Sequence, residues 1–296
     1  MHPLHTAQIK VGKQQYWALQ ASARLITGMH AEEIEVDGLR VPYLQGGNGP
    51  PVLLVHGFNS DKESWLLTAG VLKRHYRLII PDLPGYGEAS LIPREEAGAS
   101  LQAERLGKFL DALKIKAAHV VGHSMGGGIS LRLAYDAPHR VRTLSLLCSP
   151  SPTHYESPFT KALKSGHNLL LPRTSSEYDQ LLKLGFEKKP YFPSTIWAYL
   201  ADRTIQKSEV LTELFHGWID GYKNQQLPND LETLQVPTHV LHGEADRIIA
   251  LDSSRELAQR IPKAAFTMIR NVGHMPQVER PRKTGKALLS YLRNRH

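Results

Sequence analysis

The sequence predicts an α/β chain: a mostly parallel, eight-stranded sheet flanked by helices, with a helical cap inserted into it. Three observations carry this expectation. Short apolar runs alternate with longer amphipathic stretches, the arrangement that builds parallel sheets. The runs show little apolar–polar alternation, as strands covered on both faces should. One long segment, 150–228, breaks the pattern.

Residues 1–33 read as an N-terminal helical segment, with Tyr16, Leu19, Ala23 and Ile26 near helical spacing and Trp17 beside them. Residues 34–149 form the first part of the core. Runs 34–36 and 41–44 flank Asp37-Gly38, a hairpin signal. Apolar runs follow at 51–55, 77–80, 118–121 and 143–147, separated by helical patterns at 61–75, 100–115 and 125–136. Residues 150–228 contain no clear buried strand but hold 7 of the 19 prolines and 11 of the 22 aromatic residues. They read as a cap over the C-terminal edge of the sheet, where open α/β sheets place their binding crevice. Residues 229–296 resume the core with runs at 238–241 and 266–269 and a helix at 252–260.

Composition narrows the function classes. With 296 residues, 41% of them apolar, the chain can bury a large core. The single cysteine, Cys148, excludes an internal disulfide framework and, ending an apolar run, is expected to pack as a small apolar group. No apolar run is long enough to span a bilayer and no secretion signal is visible, so the expected location is cytoplasmic. Neither H-E-x-x-H, a cysteine pair nor a phosphate-binding glycine loop is present, so no metal or cofactor is expected. The formal charge is +8 and sits at the two ends: Lys10, Lys13 and Arg24 in 1–30, and Arg280, Arg282, Lys283, Lys286, Arg293 and Arg295 against Glu279 in 279–296. Without a nucleic-acid-binding signature, these basic ends read either as a solvated helix at each end or as a peripheral contact with an anionic membrane, not with nucleic acid.

The chemistry-bearing signal is Gly122-His123-Ser124-Met125-Gly126, placed between an apolar run and a helix. A serine at the tip of such a sharp turn takes a strained backbone, and glycines let strand and helix approach where side chains would clash. A serine hydroxyl needs a base, and the base an orienting acid. Asp246 follows run 238–241 and His274 follows run 266–269, so both fall at the sheet edge that carries Ser124. Glu244 and Asp252 are rival acids, less well placed than Asp246. Acyl transfer also needs two N–H groups aimed at the developing oxyanion. Those of Phe58, after the first buried run, and Met125, after the nucleophile, are the candidates. His56, Gly57, His123, Trp197 and Met275 are the expected substrate contacts.

Taken with His56-Gly57-Phe58 and Pro81-Asp82-Leu83-Pro84-Gly85-Tyr86-Gly87, these motifs resemble the α/β-hydrolase fold family over residues 34–149 and 229–296. His56-Gly57-Phe58-Asn59-Ser60-Asp61-Lys62 with Trp65, and cap residues such as Glu177-Tyr178-Asp179 and Lys189-Pro190-Tyr191-Phe192-Pro193, resemble its monoacylglycerol-lipase-like branch with bacterial lipases and phospholipases A1. That resemblance implies a serine esterase acting on acyl esters of glycerol or (lyso)phospholipid through Ser124, Asp246 and His274. Many members of the branch carry an N-terminal membrane anchor, whereas residues 1–30 here are polar and basic. Ser124 argues against the dehalogenases and epoxide hydrolases of the fold, which place Asp at the elbow. Serine-dependent carbon–carbon bond hydrolases of small diketones, perhydrolases and a non-catalytic ligand-binding relative remain open.

Overall fold

The computed structural model describes residues 3–224 and 226–293. Eight strands form one sheet: β1 (His30–Val36), β2 (Leu39–Gly46), β3 (Pro51–Val55), β4 (Arg77–Pro81), β5 (Ala118–His123), β6 (Val141–Leu147), β7 (Thr238–Gly243) and β8 (Ala265–Ile269). Their order is β1-β2-β4-β3-β5-β6-β7-β8, antiparallel through β1, β2 and β4 and parallel from there on. The hairpin expected at Asp37-Gly38 is present, with both residues at positive φ. β1 begins at His30, so the sheet starts inside the segment assigned to the N-terminal helix.

The central strands β3, β5 and β7 are buried on both faces, as unalternated apolar runs require. Run 266–269 departs from that expectation. It forms the edge strand β8, and its Phe266 and Met268 are exposed. An edge strand has one neighbour and a half-covered face, so apolar content alone does not bury it.

Helices cover both faces. α2 (Leu66–Leu72) and α11 (Pro281–Arg293), which follows the four-residue α10 (Pro276–Glu279), bury Leu66, Ala69, Leu72, Leu288 and Leu292 on one side. α3 (Ala99–Ala112), α4 (Met125–Asp136) and α9 (Leu251–Arg260) bury Leu106, Phe109, Ile129 and Leu257 on the other. Each fully buried Leu, Ile or Phe among these contributes about 1.5–3 kcal/mol of hydrophobic stabilisation. The helix expected over 61–75 splits into a 3₁₀ turn, Lys62–Trp65, and the short α2. Asp61 caps the turn by accepting the Glu63 N–H, while the Lys62 ammonium is drawn inward onto Asp82 at 2.7 Å.

Segment 150–228 folds as α5 (Pro158–Lys164), α6 (Ser175–Gly185), α7 (Ser194–Gln206) and α8 (Ser208–Lys223), with no strand among its described residues. The N-terminal helix α1 (Pro3–Thr27) packs against α7 and α2. Its Tyr16 ring meets Tyr199 at 5.6 Å, so the Tyr16 end of the apolar face docks on the chain's own cap, Ala23 packs on the core and Ile26 stays exposed. Arg24 pairs with buried Glu63 of the 3₁₀ turn and ties the other end of α1 to the core.

Candidate active site

Ser124 sits between β5 and α4 with φ 53° and ψ −124°, a region costly for any residue but glycine. The turn is this tight because two glycines allow it. A Cβ on Gly122 would lie 2.3 Å from the Gly126 carbonyl oxygen, and one on Gly126 would lie 2.3 Å from that of His56. The Ser124 N–H donates to Leu147 O at 2.9 Å, tying the elbow to the end of β6. At its base Ser124 meets the 56–58 turn: a Cβ on Gly57 would lie 3.0 Å from the Ser124 Cβ.

The loops after β7 and β8 bring an acid and a base together. His274 Nδ1 lies 2.8 Å from Asp246 Oδ2. Because a carboxylate only accepts, Nδ1 carries the proton and Nε2 is left as the basic nitrogen. The other Asp246 oxygen accepts the N–H groups of Ile248 at 2.8 Å and Ile249 at 3.0 Å. Burial pushes this carboxyl's pKa up, but the imidazole of His274 and these donors outweigh it and hold it below the usual range. The rival acids face elsewhere. Glu244 accepts the Asn271 N–H, and Asp252 pairs with Arg255 at the surface.

A cavity of about 350 Å³ opens over this pair, walled by Ser124, His274, His123, Trp197, Met275 and Phe58 among others. Thus, of the expected substrate contacts, His123, Trp197 and Met275 face it. His56 does not, and its assignment as a substrate contact is corrected. It is fully buried, its Nδ1 donates to Gly57 O at 2.8 Å, and its Nε2 accepts the Leu83 N–H at 3.0 Å. With both nitrogens held by backbone, the ring braces the turn behind the nucleophile. Gly57 likewise packs against His123 and Ser124, not on the cavity wall. His123 donates its Nε2–H to the His274 carbonyl at 2.7 Å. Burial, then the neighbouring His274, push its pKa down to about 3, so it stays neutral beside the base.

The family model for the alpha/beta hydrolase fold matches residues 50–281. The chain belongs to that family. Among curated α/β hydrolases it is 30% identical over 248 residues to Lipase 1 of Psychrobacter immobilis, covering 82% of this chain and 77% of that one. It is 28% identical over 261 residues to monoacylglycerol lipase ABHD6 of Homo sapiens, covering 84% and 77%. Among solved structures it superposes on a bacterial membrane phospholipase A with a TM-score of 0.90 at 29% identity, covering 96% of this chain and 92% of that one.

Several residues of this α/β hydrolase escaped the sequence reading. Glu279 is buried and accepts three backbone N–H groups: Gly273 at 3.0 Å, Glu187 at 3.1 Å and Lys188 at 2.8 Å. It thereby clasps the histidine loop to the cap just past α6. His274 N–H donates to Gly185 O at 2.9 Å in the same seam. From the acid loop, Arg247 reaches the carbonyls of Lys183 and Phe186, both at 3.2 Å. Both loops that carry the acid–base pair are therefore fastened to one end of α6. The only sequence hint was the position of Glu279, five residues after His274, which is a weak one.

Cys148 is fully buried in the core, as expected, and its thiol also faces Asp246. Cys148, Asp246 and His274 offer polar atoms within 4.8 Å of one another, the spacing of a metal site. Their chemistry does not fit one. Burial, then the Asp246 charge, hold the thiol well above its usual pKa, and a protonated thiol is no thiolate ligand. The facing imidazole nitrogen already donates to Asp246.

Proposed function

We propose that the chain hydrolyses acyl esters of glycerol or of (lyso)phospholipid through an acyl-enzyme cycle. His274 takes the Ser124 proton as the hydroxyl oxygen attacks the ester carbonyl. Asp246 orients the imidazole and stabilises its charged form. The N–H groups of Phe58 and Met125 hold the oxyanion. His274 protonates the leaving alcohol, and then activates a water that releases the acid. The observation that carries this reading is the His274–Asp246 hydrogen bond beneath a largely apolar cavity that Ser124 faces. The lipase and phospholipase names of its relatives support the same substrate class. A small polar diketone would leave most of that apolar wall unfilled, which disfavours carbon–carbon bond hydrolysis. A fluorophosphonate probe is expected to label folded protein at one site and to leave Ser124→Ala unlabelled. Absence of label on the folded wild type overturns the proposal.

We infer in addition a peripheral contact with anionic lipid. Leu25 and Ile26 at the end of α1 are 84% and 78% exposed, and Leu67 of α2 is exposed on the cavity rim. Since α1 and α11 both pack on α2, the two basic ends share one side of the sheet; Arg295 lies outside the described residues. No helix among the described residues is long and apolar enough to cross a membrane. Co-sedimentation with vesicles containing phosphatidylserine is expected at low salt, weakened by salt and by Leu25→Ser with Ile26→Ser. Equal recovery in the supernatant with and without vesicles rejects the contact.

A further inference from the structure

Ser124 faces a second cavity, and the two meet at the nucleophile. The smaller, of about 140 Å³, touches Ser124 from the Met125 side and is walled by Phe159 of α5 and Phe215, Trp218 and Ile219 of α8. The larger, of about 350 Å³, contains His274 and Met275. Phe58, Leu170 and Ile248 border both.

The stereochemistry of ester attack assigns the two spaces. The tetrahedral carbon carries four groups. One is the Ser124 oxygen, and a second is the oxyanion, directed at the Phe58 and Met125 N–H groups. The other two are the leaving oxygen and the acyl carbon, and two cavities remain for them. His274 must deliver its proton to the leaving oxygen, which therefore lies on the His274 side. The acyl carbon is left facing the smaller chamber.

We propose that the chamber lined by Phe159, Phe215, Trp218 and Ile219 seats the acyl group, and that the larger cavity holds the alcohol portion. This rests on the ester-hydrolase reading above and sharpens its substrate class. A cavity of roughly 150 Å³ takes a benzene-sized guest. The acyl seat thus suits about six carbons, whereas the alcohol side has room for a long apolar chain. The matching substrate is an ester whose acyl part is short to medium and whose leaving group keeps the longer chain, as when one short acyl group is removed from a two-chain glycerolipid. Proton and atom balance are those of the acyl-enzyme cycle: the alcohol leaves with the proton from His274, and water supplies the hydroxyl of the released acid.

The test uses the full chain and two ester series. In the first, 4-nitrophenyl esters vary the acyl part from two to eighteen carbons. In the second, hexanoate esters vary the alcohol from one to eighteen carbons. The expected kcat/KM maximum lies near six to eight carbons in the acyl series, while the alcohol series keeps rising beyond twelve. Trp218→Ala moves the acyl optimum to longer chains and leaves the alcohol optimum in place, and Trp197→Ala does the converse. An acyl series that climbs to eighteen carbons while the alcohol series peaks at short chains overturns the assignment yet leaves ester hydrolysis standing. No turnover of any ester, with no fluorophosphonate label, removes the hydrolase reading itself and this assignment with it.

Discussion

Ser124→Ala is expected to lower kcat for acyl esters by roughly 10⁵–10⁶-fold, the scale seen when a serine nucleophile is removed from an intact triad. Two features make the loss chemical and not structural. The substitution removes one oxygen and keeps the Cβ, so the packing of Gly57 against the elbow is unchanged. The backbone bonds that hold the turn, Ser124 N–H to Leu147 O at 2.9 Å and Gly127 N–H to Ser124 O at 2.7 Å, do not involve the side chain. The strained φ of 53° is likewise no worse for alanine than for serine. Thermal unfolding should therefore stay within about 2 °C of wild type, a change of roughly 0.5 kcal/mol. Turnover within ten-fold of wild type would move the nucleophile elsewhere. The Phe58 and Met125 N–H groups remain in the variant, so a residual rate above that of water is expected.

How far these features were legible in the sequence depends on how local their causes are. The elbow is written in five consecutive residues, because Gly122 and Gly126 answer a steric demand made by their own neighbours. The order of Ser124, Asp246 and His274 on successive sheet-edge loops follows from strand-and-helix alternation, which periodicity reveals. Asp246 was separable from Glu244 and Asp252 by its place in the loop, and the structure pairs Asp246 with His274. What was not legible depends on long-range packing. Glu279 and Arg247 gain their meaning only from the end of α6, which the chain reaches about 60 to 90 residues earlier. The apolar spacing of α1 was visible, but the cap helix that Tyr16 meets, α7, lies some 180 residues away. His56 adjoins the expected oxyanion turn, and adjacency could not reveal that both its nitrogens meet backbone. β8 read as buried because composition does not distinguish the last strand of a sheet from a central one.

Asp246→Asn is expected to cost roughly 10⁴-fold in kcat, through the tautomer of the base and not through its position. One Asp246 oxygen accepts two backbone donors, the N–H groups of Ile248 at 2.8 Å and Ile249 at 3.0 Å. An amide NH₂ cannot replace it there, because donors would face donors. The asparagine carbonyl therefore keeps that place and the NH₂ turns to His274 Nδ1. That nitrogen must then accept, the ring proton moves to Nε2, and the nitrogen that should take the Ser124 proton is blocked. A pH–stability comparison separates this effect from unfolding. The folded carboxyl of Asp246 sits below its unfolded value of about 3.9. A depressed pKa contributes stability that is present above the unfolded value and lost as pH falls through the folded one. The variant should therefore show a flatter fall in stability toward acid than the wild type, while its fold at neutral pH persists and its rate stays low. Activity within ten-fold of wild type, with the acid limb unchanged, would show that another acid orients His274.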